Sequence, residues 1–207
     1  MIRILTEGDR ESFPGLFDQM FRARAAIFND RLGWDVNVAD GLEVDRYDRT
    51  GSAVYIVAHT EDGVATGSLR LLPTMGDTML RHEFAGFFAE SVDVQSPTAW
   101  ECTRFCVHPT QHEKDRPEAM GRVSSELLIA LCQLCLQSGI QHIVGLYDVR
   151  MTRIYRRIGW SPDPIASSHS ERGHLLVGLW EASPEAVQRM EAIAARNASA
   201  PATRRAA

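Results

Sequence analysis

The sequence predicts an α/β fold, an α+β sandwich in which a mixed β-sheet carries packed helices. Two observations lead there. Short runs rich in Val, Ile, Tyr and Trp alternate with longer amphipathic stretches, which is the pattern of a sheet covered by helices. The chain has 207 residues, 44% hydrophobic and 24% charged, enough for one sizeable core. No internal repeat divides it.

The first element is a helix in "DRESFPGLFDQMFRARAAIF", where Phe17, Phe21, Arg24 and Phe28 recur at helical spacing and share one face. Pro14 belongs in its first turn, where a missing N–H matters little. A polar loop follows, and then "SAVYIVAH" and "VATGSLRLLP" read as two strands joined by the turn "TEDG". A short helix, "MLRHEFAGFF", precedes a strand, "AWECTRFCV", at 99–107. Downstream come a long helix over 117–138, a strand "IQHIVGLY", a helix "RMTRIYRRIG" closed by Gly159, and a last strand "HLLVGLWE". One domain is expected over residues 1–190, with a flexible C-terminal tail over 191–207 whose "ARNASAPATRRAA" buries little surface.

A net charge of −5 points away from nucleic acid as the main partner. No apolar run is expected to span a membrane, and the start "MIRILTEGDRESF" lacks a signal-peptide pattern, so the expected location is cytoplasmic. Cys132 and Cys135 form a C-x-x-C inside an apolar helix, with no second pair or histidine cluster nearby. They read as packing. The seven histidines show no zinc-ligand spacing, and no metal is expected.

The strand at 99–107 holds an anomaly. Glu101 and Arg104 sit in the middle of an apolar run, although charged side chains are rarely buried unless paired. Neighbouring residues on a strand point to opposite faces, so regular alternation would separate the two. If both serve one site, the strand must contain a bulge. Arg24 on an apolar helix face, Arg70 between leucines, and Asp45 and Asp48 in "EVDRYD" are similarly placed. Any one could be an ion pair at the edge of the core. Six together point to a polar ligand.

The segments "FRARAAIF", "GWD", "LEVDRYD", "GSLRLLP", "HEF" and "WECTRFCV" together resemble the LuxI-type acyl-homoserine-lactone synthases, which make quorum-sensing signals from S-adenosylmethionine and an acylated carrier protein. The resemblance runs from Arg24 to about Tyr147 and makes residues 1–190 a single catalytic domain. It implies a fold similar to the Gcn5-related N-acetyltransferases, with splayed central strands and helices on both faces. S-adenosylmethionine is then a substrate, and no cofactor is implied.

The resemblance also implies site roles. Arg24, Phe28, Trp34, Asp45 and Arg104 are candidates for binding S-adenosylmethionine, with a guanidinium on its carboxylate and aromatic surface at its adenine and sulfonium. Asp48 and Arg70 pair to hold the site. Phe84, Phe105, Met120, Leu146 and Tyr147 are candidates for the acyl pocket. Glu101 and, second, Glu43 are candidate catalytic groups. A free α-amino group has a pKa near 7.7–8.0, so exposing the neutral amine at pH 7 costs only about 1 kcal/mol; a carboxylate of ordinary pKa is too weak to take that proton directly. Glu101 is therefore expected to orient, or to relay through water.

The segment "HPTQHEKDRPEAMGRV" lacks the Gly-x-Gly of a pyrophosphate cradle, which favours acyl carrier protein over coenzyme A as donor, with acyl-coenzyme A still possible. Arg150, Arg153, Arg156 and Arg157 are either a solvated face or a docking patch for the acidic carrier. Several family members that prefer 3-oxo chains have a threonine near the position of Leu146 or Tyr147. "VGLYDV" has none, which points away from a strict 3-oxo preference. A plain N-acetyltransferase using acetyl-coenzyme A is the alternative.

Overall fold

The computed structural model describes residues 1–108, 117–170 and 173–199. Its frame is a seven-stranded sheet in the order β1-β4-β5-β6-β7-β9-β8. The strands are β1 (Ile2–Thr6), β4 (Val54–His59), β5 (Ala65–Pro73), β6 (Ala99–Val107), β7 (His142–Asp148), β8 (Asp163–Ser170) and β9 (Gly173–Glu181). A two-stranded ribbon, β2 (Val38–Ala39) and β3 (Leu42–Glu43), stands apart. Every neighbouring pair in the main sheet is antiparallel except β6 and β7.

Helices cover both faces. β4 shows why, since its alternate residues enter different cores. Ile56 and Ala58 pack with α2 (Pro117–Ser138), α3 (Met151–Ile158) and α4 (Pro184–Ser199). Tyr55 and Val57 pack with Leu16, Phe17, Met20 and Phe21 of α1 (Pro14–Arg24) on the opposite face. The turn Ala25–Arg31 continues α1 as a π-helix and carries Ile27 and Phe28 into a smaller cluster.

Several expectations are corrected. Residues 79–88 do not form a helix, and only Ala85–Phe87 make a single 3₁₀ turn. The backbone N–H groups of Met79 and Leu80 instead donate to the Glu101 carboxylate, at 2.8 Å each. Strands β1 and β8 lie at the sheet edges, where polar residues are tolerated, and so escape a hydrophobic pattern. Helix α4 runs to Ser199, with Ala186, Val187 and Met190 buried, and residues 200–207 of the expected tail lie outside the described residues. One apolar run, Ala119–Ser138 of α2, does reach membrane-spanning length and hydropathy. In this fold its Val123, Leu127, Leu131, Cys132 and Cys135 are buried in the sheet core.

Two irregularities of the central strands shape the site. The register of β5 with β6 runs from Ser68 opposite Cys106 to Arg70 opposite Thr103, so β6 holds one extra residue at the expected bulge. Arg104 sits there with φ +53°, a left-handed conformation costing roughly 1–2 kcal/mol in a non-glycine residue. The second irregularity is that β6 and β7 pair only from Ala99/His142 to Glu101/Val144, although β6 continues to Val107 and β7 to Asp148. Beyond Glu101 the two strands part.

Candidate active site

A cavity of about 470 Å³ fills the fork between β6 and β7. One wall is Cys102, Thr103, Arg104 and Phe105, and the facing wall is Gly145, Leu146, Tyr147 and Asp148. Phe28, Trp34 and Phe84 close one end, with ring centroids 5.4 Å apart for Phe28–Trp34 and 6.4 Å for Trp34–Phe84. Leu131 of α2, Tyr155 of α3, Trp160 and Trp180 line the other side. Gly145 keeps the fork open. A Cβ there would stand 3.0 Å from the Cys102 carbonyl oxygen.

Behind the Arg104 wall lies a network of three guanidiniums and three carboxylates. Asp48 accepts two bonds from Arg24, at 2.9 and 2.8 Å, one from Arg70 at 2.8 Å and one from the Tyr55 hydroxyl at 2.8 Å. Asp45 accepts from Arg70 at 2.5 and 2.9 Å and from Arg104 at 3.1 Å. Glu43 joins Arg24 at 2.5 Å to Arg104 at 2.7 Å. Burial pushes the Asp48 and Glu43 carboxyls up, but the neighbouring guanidiniums more than offset it and hold both below the usual range. Burial likewise works against the Arg24 cation, and Asp48 and Glu43 hold it protonated.

The guanidiniums differ in one respect. Arg24 is 1% exposed, with every nitrogen committed to Glu43 or Asp48, and Arg70 is fully buried. Neither lines the cavity. Arg104 does, and among the described residues its Nη1 has only the Met79 thioether, at 3.3 Å, as partner. Its guanidinium also lies 5.2 Å from the centre of the Phe28 ring.

Residues 11–190 match the autoinducer synthase family, and an acyl-homoserine-lactone synthase of Rhizobium etli is 54% identical over 185 residues, 89% of this chain and 86% of that protein. The chain belongs to the autoinducer synthase family. It is an enzyme, an acyltransferase of the acyl-homoserine-lactone synthase type. In fold the synthase is similar to a CoA-dependent acyl-homoserine lactone synthase, BjaI, solved with SAM and isopentyl-CoA, at TM-score 0.80 and 22% identity over 96% of this chain and 89% of that one. A putative N-acetyltransferase from Lactobacillus plantarum is also similar in fold, at TM-score 0.56 and 14% identity over 88% of this chain and 99% of that one. The plain acetyltransferase alternative is not retained, since that likeness is one of fold alone.

The structure sorts the expected site residues of the synthase by depth. Phe28, Trp34 and Arg104 line the cavity, whereas Arg24 and Asp45 stand behind Arg104. Asp48 and Arg70 pair directly, at 2.8 Å. Among the expected acyl-pocket residues, Phe84, Phe105, Leu146 and Tyr147 line the cavity, but Met120 is 38% exposed on α2 and does not. Glu43 lies behind the wall, saturated by two arginines, which removes it as a free base. Arg150 sits at the cavity edge, paired with Asp148 at 2.7 Å, and Arg153, Arg156 and Arg157 are exposed along α3. Half of the segment read for a missing pyrophosphate cradle, 109–116, lies outside the described residues. Sequence reasoning missed Met79, hidden in a stretch read as helix, and Tyr155, Trp160 and Trp180, whose spacing signals only core.

Glu101 is fully buried and does not line the cavity. Burial pushes its carboxyl up to about 7, against the Met79 and Leu80 N–H groups that pull it down. A raised folded pKa favours the folded state fully below the unfolded value near 4.5, and that advantage is lost as pH rises to about 7. Replacement by glutamine removes this titration. Urea unfolding at pH 5 and pH 8 should therefore show the stability of wild type relative to Glu101→Gln falling by roughly 2–3 kcal/mol between the two. A difference independent of pH would mean that Glu101 stays ionised throughout.

Proposed function

We propose that the synthase joins an acyl group, delivered on acyl carrier protein, to the amine of S-adenosylmethionine, and then closes the lactone with release of methylthioadenosine. The observation that carries this reading is Arg104. It is the one guanidinium of the described network in the cavity wall, and among the described residues its Nη1 has only a weak sulfur acceptor. A substrate carboxylate is a far better partner for it. Phe28, Trp34 and Phe84 supply aromatic surface beside that point for the adenine and sulfonium.

In the first step the neutral amine attacks the thioester carbonyl, an amide bond forms as the carbon–sulfur bond breaks, and the proton lost by the amine nitrogen leaves with the sulfur as a thiol or passes to water. In the second the substrate carboxylate displaces the sulfonium sulfur at Cγ, and methylthioadenosine departs with the bonding electron pair. Arg104 and Phe105 take no register partner on β5, so the bulge can turn a backbone N–H toward the carbonyl oxygen. Arg24, Asp48 and Arg70 hold Arg104 in place through Glu43 and Asp45. Glu101 orients Met79 and Leu80 rather than touching substrate.

A carrier-protein donor is supported by Arg153, Arg156 and Arg157, exposed on the helix whose Met151 and Tyr155 line the cavity. Coenzyme A thioester is the second reading, because the solved relative with isopentyl-CoA is CoA-dependent. Mass spectrometry of the lactone and methylthioadenosine formed from each donor tests both readings. With carrier-bound donor, KM should rise steeply with salt, since exposed charges are screened beyond about 10 Å at 0.1 M. A flat response, or faster turnover on coenzyme A, would reverse the donor assignment.

The fork itself has a test. Gly145→Val should cut kcat/KM for the acyl donor at least roughly tenfold, while calorimetry finds S-adenosylmethionine binding nearly unchanged. Equal loss of both would place the fork outside the acyl path.

A further inference from the structure

Among the described residues, every nitrogen of Arg24, Arg70 and Arg104 donates to an oxygen except one. Arg24 gives its nitrogens to Glu43 and Asp48. Arg70 gives Nε to the Thr103 hydroxyl at 3.0 Å, Nη1 to Asp45 and Asp48, and Nη2 to Asp45 at 2.9 Å. Arg104 gives Nε to Glu43 and Nη2 to Glu43 and Asp45. The exception is Arg104 Nη1, whose acceptor is the Met79 sulfur at 3.3 Å. The same sulfur takes Arg70 Nη2 at 3.3 Å, so it bridges two cations.

The place of this sulfur is set by the fold. Met79 is 4% exposed and lines the cavity; its N–H donates to Glu101 at 2.8 Å and its carbonyl accepts from the Phe84 N–H at 2.9 Å. The other Glu101 oxygen takes the Leu80 N–H, at 2.8 Å. A fully buried carboxyl is costly to keep, and both oxygens of this one fix the backbone that carries the sulfur. Packing alone does not call for a thioether, because leucine fills nearly the same volume. A thioether is a weak acceptor, whereas oxygens serve all the other nitrogens of the network. Nη1, with two N–H groups, is therefore the least satisfied donor of the three guanidiniums. An oxygen acceptor at the same point would compete with an incoming carboxylate, and a sulfur yields to it.

We infer that Met79 is a positioning residue for S-adenosylmethionine: its sulfur, fixed in place through Glu101, supports Arg104 Nη1 too weakly to satisfy it and so leaves that nitrogen to the substrate carboxylate. This rests on the function proposed above. The strength of the acceptor at position 79 then sets the affinity for the amino-acid end of the substrate, and the adenosine end is indifferent to it.

The test is calorimetry of S-adenosylmethionine and of methylthioadenosine, which lacks the carboxylate, on wild type, Met79→Gln and Met79→Leu without acyl donor. The Kd for S-adenosylmethionine divided by that for methylthioadenosine should rise about tenfold in Met79→Gln, whose amide oxygen is a strong acceptor, and fall about threefold in Met79→Leu, which has none. In turnover, KM for S-adenosylmethionine should follow the ratio while kcat moves less. General loosening of the site weakens both ligands alike and leaves the ratio where it was. A ratio in Met79→Gln less than about threefold above wild type overturns the inference. So does a ratio in Met79→Leu at or above wild type, which would make the sulfur a support that the guanidinium needs. If circular dichroism finds Met79→Gln unfolded, the leucine variant decides alone. An unmoved ratio in variants that still form lactone removes this inference and leaves the proposed function standing; no methylthioadenosine released by wild type with any donor removes both.

Discussion

Arg24→Met is expected to destabilise the fold by about 3–5 kcal/mol at pH 7, measured by urea unfolding. Methionine fills much of the volume, so the loss is electrical. Arg24 gives both terminal nitrogens to Asp48 and its Nε to Glu43 in a site that is 1% exposed. Without it, among the described residues the guanidinium left on Glu43 is that of Arg104 and the one left on Asp48 is that of Arg70. The effect has a pH signature. Asp48 and Glu43 have depressed folded pKa values, so their contribution is present above the unfolded pKa, about 4, and is lost as pH falls through the folded values. The gap between wild type and variant should therefore shrink toward acid pH. A variant within about 1 kcal/mol of wild type at pH 7 would show that the network contributes little to stability.

Arg104→Ala is expected to lower kcat/KM for S-adenosylmethionine roughly hundredfold or more, the worth of a charge-assisted contact of about 2–3 kcal/mol. Part of that loss is indirect, because Glu43 and Asp45 each lose a partner at 2.7 and 3.1 Å. Arg104→Lys separates the two effects. It keeps the charge facing those carboxylates but removes the planar fork, so stability should recover more than activity. Activity of the alanine variant within threefold of wild type, in protein shown to be folded by circular dichroism, would take Arg104 out of substrate binding.

Much of this site could be read before the coordinates. Glu101 and Arg104 could share a site only if β6 broke its alternation, and the break is there as the extra residue with Arg104 at φ +53°. The pairing of Asp48 with Arg70 was also anticipated. Depth was not readable. Arg24, Arg70 and Arg104 all stand among apolar residues in the sequence, and only the parting of β6 from β7 decides that Arg104 faces the cavity and the others do not. Residues 79–88 misled because helical spacing of apolar side chains says nothing about two backbone N–H groups claimed by a carboxylate more than twenty positions later. Edge strands β1 and β8 and the polar face of α4 carry weak hydrophobic patterns. Tyr155 reads as core from its spacing, and it is core on one side of its ring.

The parting of β6 and β7 has a mechanical consequence. A sheet of this size holds its middle together with main-chain bonds, but past Glu101 and Val144 that stitching stops, and side chains from both helical layers meet across the gap. A guest seated there touches both halves of the molecule at once. A ligand that binds the native state there is therefore expected to raise the stability of the fold.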